Sequence, residues 1–88
     1  MNWEIEVKPS AEGQYRKLDK KTRQRISSAL RDLEGSPSPL FSKQVKALTG
    51  SLKGDYRLRV GNWRILFTPD RSEWRIYVYA ILPRGNSY

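Results

Sequence analysis

Residues 54–68, GDYRLRVGNWRILFT, constrain the fold more than any other stretch. Two runs of alternating polarity meet at Gly61-Asn62, a dipeptide suited to a two-residue hairpin turn of the II′ kind. A loop of those residues sets Val60 against Trp63, Arg59 against Arg64, Leu58 against Ile65, Arg57 against Leu66 and Tyr56 against Phe67. Strand side chains alternate, so Tyr56, Leu58, Val60, Trp63, Ile65 and Phe67 share an apolar face that must be covered. Arg57, Arg59 and Arg64 share the other face. Like charges directly opposite on a sheet cost a few tenths to about 1 kcal/mol, and an anionic ligand would remove that cost. Taken alone, splayed and solvated guanidinium groups explain the three arginines equally well.

The flanking chain supplies the cover. Trp3, Ile5 and Val7 alternate with Glu4, Glu6 and Lys8, which reads as a short half-buried strand. Pro9-Ser10 ends it. Ser10 is read as the N-cap of a helix to about Leu18, with Glu12 in the first turn and Ala11, Tyr15 and Leu18 on its apolar side. Asp19 is positioned to cap a second helix over 20–34, whose stripe is Ile26, Ala29, Leu30 and Leu33. Lys20, Lys21, Arg23, Arg25 and Arg31 line the remainder as a wet helix face. Residues 35–39 form a loop that Leu40 and Phe41 are expected to pin to the core. Val45, Ala47 and Leu48 make a short apolar patch, irregular or one turn of helix.

After the hairpin, residues 69–73 read as a polar turn and 74–82, WRIYVYAIL, as the last strand. Ile76, Val78 and Ala80 fit its core face, which leaves Tyr77 and Tyr79 on the arginine face. If Ile65 meets Val78, Tyr79 lies beside Arg64. The order is β-α-α-β-β-β over one domain, residues 1–88. It predicts an α+β fold with a helical hairpin on one face of a mostly antiparallel four-stranded sheet.

Composition narrows the chemistry. Seventeen Lys and Arg against nine Asp and Glu give a net charge of +8, which favours a polyanionic partner. There is no cysteine and no histidine, so thiolate sites, disulfides and the commonest general acid/base are missing. The first residues, MNWEIEVK, do not read as a signal peptide. No run approaches the roughly 18 apolar residues of a membrane span. The expectation is a cytoplasmic protein with no membrane partner.

A face that interleaves cations and aromatics suits single-stranded nucleic acid, because guanidinium groups pair with phosphates and rings stack on bases. RNA brings its own nucleophile, the 2′-OH, so such a face needs to hold the scissile phosphate and stabilise developing charge. Arginine stays protonated and is a poor base. Lys46 or Lys53, if desolvated, and Asp55 or Glu73, if facing the site, are the proton-transfer candidates.

The run VKALTGSLKGDYRLRV, then NWRILF, then an aromatic-rich strand ending in LPRGNSY resembles the RelE/ParE superfamily of type II toxins. The N-terminal strand, KPSAE and the helix KLDKKTRQRI fit the same order, so the likeness covers nearly the whole chain. It implies a RelE-like fold and a metal-independent endoribonuclease that cuts mRNA in the ribosomal A site, without a cofactor. It also implies a cognate antitoxin, expected to be acidic with an amphipathic helix, and a toxin that is a monomer when alone. By that resemblance Arg57 and Arg59 stand where relatives carry paired basic residues, often lysines. Arg64 matches the arginine that grips the scissile phosphate. Arg84 matches a phosphate stabiliser or general acid, and Tyr88, four residues on, a tyrosine that stacks on the base. Two rivals remain open at this stage: a ParE-like toxin that inhibits DNA gyrase, and a non-catalytic basic RNA-binding relative.

Overall fold

The computed structural model describes residues 3–83. In chain order these are β1 (Glu4–Val7), α1 (Pro9–Arg16), α2 (Lys20–Gly35), a 3₁₀ turn (Pro39–Phe41), β2 (Val45–Ala47), a second 3₁₀ turn (Gly50–Leu52), β3 (Tyr56–Val60), β4 (Trp63–Asp70) and β5 (Arg75–Pro83). The sheet has five strands in the order β1-β5-β4-β3-β2. The expected architecture holds, with one more strand than the sequence suggested. The segment read as irregular, Val45–Ala47, is that strand, antiparallel to β3. Three residues give no periodicity to detect, and it is β3's open edge that draws them into the sheet. β1 lies parallel to β5, and the other pairings are antiparallel.

The β3–β4 register is the one the two-residue loop dictates, from Val60 opposite Trp63 to Tyr56 opposite Phe67. Gly61 has φ +58°. Among the described residues the only non-glycine with positive φ is Trp74, so Asn62 stays at negative φ, the II′ arrangement. β5 departs from expectation. A bulge opposite Leu66/Phe67 sets Ile65 against Ile81 and Phe67 against Val78. Val78 meets Phe67 where Ile65 was expected, a register two residues away, and Tyr79 is one extra residue beyond it, so Leu82, not Tyr79, lies beside Arg64. The bulge also reverses the side-chain alternation. Ile81 takes the core position expected of Ala80, which pairs with Leu66 on the open face. β4 runs on through Pro69–Asp70, where a turn was expected. β3 has already ended there, so the ring displaces no ladder bond on that side.

Both helices cover the face carrying Leu58, Val60, Ile65, Phe67, Ile76, Val78 and Ile81. Phe67, Ile26, Ile65, Ile76 and Val78 are fully buried, each worth about 1.5–3 kcal/mol relative to exposure. Asp19 caps α2 as expected, accepting from the Thr22 N–H at 3.1 Å. Ser10 does not cap α1. Pro9 opens that helix and Lys8 holds the cap position without a side-chain bond. The fixed φ of proline suits the first helical turn, which displaces the start two residues upstream. Phe41 is not a pin either, being 89% exposed, whereas Leu40 packs on the core.

Helix side chains complete the sheet's hydrogen bonding. β1 stops opposite Val78, leaving the next stretch of β5 without a strand on that side. There Ser10 Oγ donates to the Tyr79 carbonyl at 2.8 Å, and Gln14 Oε1 accepts from the Ile81 N–H at 2.7 Å. On β1 itself the Ile5 N–H donates to Glu34 Oε2 at 2.9 Å.

Candidate nucleic-acid interface

The face of the sheet turned away from the helices holds Arg57, Arg59 and Arg64 together. They line one shallow cleft of about 150 Å³ with Gly61, Asn62 and Trp63. The Arg59 N–H donates to the carbonyl of Gln44, the residue before β2, at 2.9 Å, so it points away from β4. Arg59 and Arg64 therefore form a non-hydrogen-bonded pair, in which side chains approach most closely. Arg57 is anchored by Nη1 donating to the Gln44 carbonyl at 3.3 Å. The ion pairs among the described residues join Lys8 and Arg75 to Glu6, and Arg16 to Glu12. None of these carboxylates lies at the cleft.

Three further residues belong here that sequence reasoning did not place. Lys46 pairs directly with Arg57 across β2–β3, which sets a second like-charge pair on the same face. Its strand could not be read, so its position could not be either. Arg25 reaches from α2 to the hairpin tip: a Cβ built on Gly61 would lie 2.6 Å from Arg25 Nη2. Helical spacing gives it only as one cation on a wet face. Trp63, assigned by alternation to the core, also borders the cleft because the sheet ends beside it.

The tyrosines are placed differently from expectation. Tyr77 is on the open face but sits between Thr68 and Glu6, with the Lys8 ammonium 4.7 Å from its ring centre. Tyr79 reaches across β4 and donates to Asp55 Oδ2 at 2.7 Å. Leu66, on the same face of β4, is only 2% exposed. Burial, then the neighbouring carboxylate, pushes the Tyr79 phenol well above its ordinary value. Neither ring is presented to the arginine cleft.

The acidic proton-transfer candidates are also not at the cleft. Asp55 is occupied at both oxygens, since Oδ1 accepts from Thr68 Oγ1 at 2.8 Å. Glu73 follows the far end of β4, roughly 20 Å from Arg64 at about 3.3 Å per residue. Lys53 follows the second 3₁₀ turn, exposed and outside the cleft lining. Of the four candidates, Lys46 alone lies directly opposite an arginine of the cleft. Arg84 and Tyr88 lie outside the described residues. No cluster of three or more acidic, histidine or cysteine side chains suited to a metal occurs among the described residues.

The family model described as the ParE toxin of the type II toxin-antitoxin system, parDE, matches residues 5–88. No curated protein sequence matches. Among solved structures, the chain is similar to the toxin-antitoxin complex RelBE2 of Mycobacterium tuberculosis, with TM-score 0.81 and 20% identity over 98% of this chain and 95% of that one. It is similar to the archaeal RelE-RelB complex of Pyrococcus horikoshii OT3, with TM-score 0.78 and 23% identity over 99% and 100% of the two chains. The isolated Escherichia coli RelE toxin gives TM-score 0.75 and 15% identity over 97% and 87%. At these identities the likeness is one of fold. No helix among the described residues is long and apolar enough to cross a membrane.

Proposed function

The chain belongs to the ParE toxin family of type II toxin-antitoxin systems, and from that premise we propose that this toxin is an endoribonuclease that cleaves mRNA, in the ribosomal A site, through its arginine cleft. The observation that carries the reading is that Arg57, Arg59 and Arg64 surround one concavity on the uncovered face of the sheet. In the reaction the RNA 2′-oxygen attacks the adjacent phosphorus and the bond to the 5′-oxygen breaks, leaving a 2′,3′-cyclic phosphate. Negative charge builds on the phosphoryl oxygens as this happens. Guanidinium donors held in place by the sheet stabilise that charge without reorganising.

Two protons move, one off the 2′-OH and one onto the departing 5′-oxygen. Lys46 is the proton acceptor best placed by register, beside Arg57. As an exposed ammonium it must be stripped of water by the bound RNA before it can serve. Arg84 is assigned to the leaving side and Tyr88 to stacking on the base, both by family resemblance. In this reading the toxin works in the cytoplasm, as a monomer until an acidic cognate antitoxin binds it. The solved complexes of RelE and YoeB proteins with RelB and YefM support such a partner.

Induced expression should arrest growth and produce new mRNA 5′ ends within coding sequence. Arg64→Ala should lower cleavage by about 10²–10³-fold, the usual loss for one oxyanion donor. Growth arrest with intact mRNA would overturn the reading. The family description names ParE, which keeps the second reading given by the resemblance, inhibition of DNA gyrase. Loss of supercoiling by purified gyrase, with mRNA left whole, would select it.

A further inference from the structure

Arg59 borders a second concavity. Besides the arginine cleft, it lines a groove of about 200 Å³ between α2 and the β2–β3 edge. Ala29, Leu33 and Leu58 make its apolar floor, and Asp32, Ser42 and Gln44 its polar rim. We propose that this groove is a nucleobase subsite, selective for guanine, that takes the base next to the phosphate held by Arg59.

The inference deepens the ribonuclease reading and rests on it for its place in the reaction. Three observations carry it. First, Arg59 lines both concavities, so a phosphate bound by its side chain leaves its own nucleoside facing either the cleft or the groove. Second, the Asp32 carboxylate repels phosphate. Within a chain of net charge +8 this rim stands out as unsuited to the nucleic-acid backbone and suited to N–H donors. An apolar floor with a few hydrogen-bonding groups at its rim is the usual lining of a site for a flat heterocycle. Third, the rim is held in register with the arginines. The Gln44 carbonyl accepts from both the Arg59 backbone N–H and Arg57 Nη1, at 2.9 and 3.3 Å.

Single-stranded RNA exposes base edges for such readout. Guanine presents two adjacent donors, N1–H and the N2 amino group, which match the two oxygens of one carboxylate. Its O6 would accept from the Gln44 amide or the Ser42 hydroxyl. Uracil offers one donor flanked by two carbonyls and fits worst. Bidentate pairing discriminates by about 5–150-fold.

NMR titration of the full chain with guanosine 3′- and 5′-monophosphate, uridine monophosphate and inorganic phosphate tests this. Inorganic phosphate should shift amides around the arginine cleft only. A guanosine monophosphate should also shift Ala29, Asp32 and Gln44, and bind about 5–150-fold more tightly than the uridine nucleotide. Asp32→Asn should abolish that preference and leave phosphate binding unchanged, and Ala29→Phe, which fills the floor, should do the same. Identical shifts from guanosine monophosphate and phosphate overturn the subsite, as does an undiminished guanine preference in Asp32→Asn. If guanosine binds as described while mRNA stays whole in cells, the subsite stands and the ribonuclease reading fails.

Discussion

Lys46→Gln should make the free protein more stable and a poorer RNA binder at once. Lys46 lies directly opposite Arg57 on neighbouring strands, and both side chains project from the uncovered face. Like charges in that relation cost about 0.2–1 kcal/mol. Glutamine keeps the length of the side chain and removes the charge. For a domain of this size 1 kcal/mol moves the melting temperature by about 4–8 °C, so the gain should be about 1–8 °C in low salt. The screening length falls from about 10 Å at 0.1 M salt to about 3 Å at 1 M, and most of the gain should vanish there. If Lys46 touches an RNA phosphate, the variant's affinity should fall and its log–log salt slope should shrink by about 0.7. Calorimetric melts at the two salt concentrations, with binding isotherms across a salt series, give all these quantities. A variant that melts below the parent in low salt refutes the reasoning, as does a gain equally large in 1 M salt.

Tyr79 gives the pH prediction. Its folded pKa lies above the unfolded value of about 10, so above that pH the unfolded chain loses a proton that the folded chain keeps. This contribution is fully present below about pH 10 and declines as pH rises further. Urea melts between about pH 8 and pH 11 should show the decline, and Tyr79→Phe should flatten it. Gly61→Ala should destabilise the hairpin by about 1–2 kcal/mol, because alanine resists a positive φ. Adding Arg25→Ala should recover little of that, since the arginine tip can move and the backbone cannot; thermal melts of the single and double variants decide it. Phe67→Ala removes a fully buried ring and should cost about 3–5 kcal/mol, read as loss of soluble protein or a collapsed melting temperature.

The hairpin was legible because a two-residue loop fixes every pairing after it. Arg57, Arg59 and Arg64 follow from that one register, and so the cleft could be anticipated from residues 54–68 alone. Asp19 was legible for a similar reason, since a carboxylate just before an amphipathic stripe has an N–H to accept. The register of β5 was not legible. A bulge adds one residue, and nothing in YVYAIL tells which of its members will be the extra one. The pairing also begins two residues from the expected register, which takes Tyr79 from Arg64 to Asp55, and the bulge exchanges the places of Ala80 and Ile81. Lys46 and Arg25 reach the site through contacts between elements distant in sequence, which periodicity within one element does not report. Arginine at 57 and 59 was visible from the start, and so was the consequence that the base must come from elsewhere.

The polar contacts that α1 and α2 make with the sheet bear on solubility. Open strand edges are templates for joining one molecule to another. Ser10, Gln14 and Glu34 each occupy a backbone group that would otherwise await a foreign strand. The opposite margin of the sheet is only three residues long and carries a lysine at its centre, which is short and charged enough to discourage stacking. Both margins of the described sheet are thus poorly suited to pairing with a foreign strand. Replacing Gln14 by valine would remove one such guard, and aggregation of otherwise folded protein is the form its loss would take.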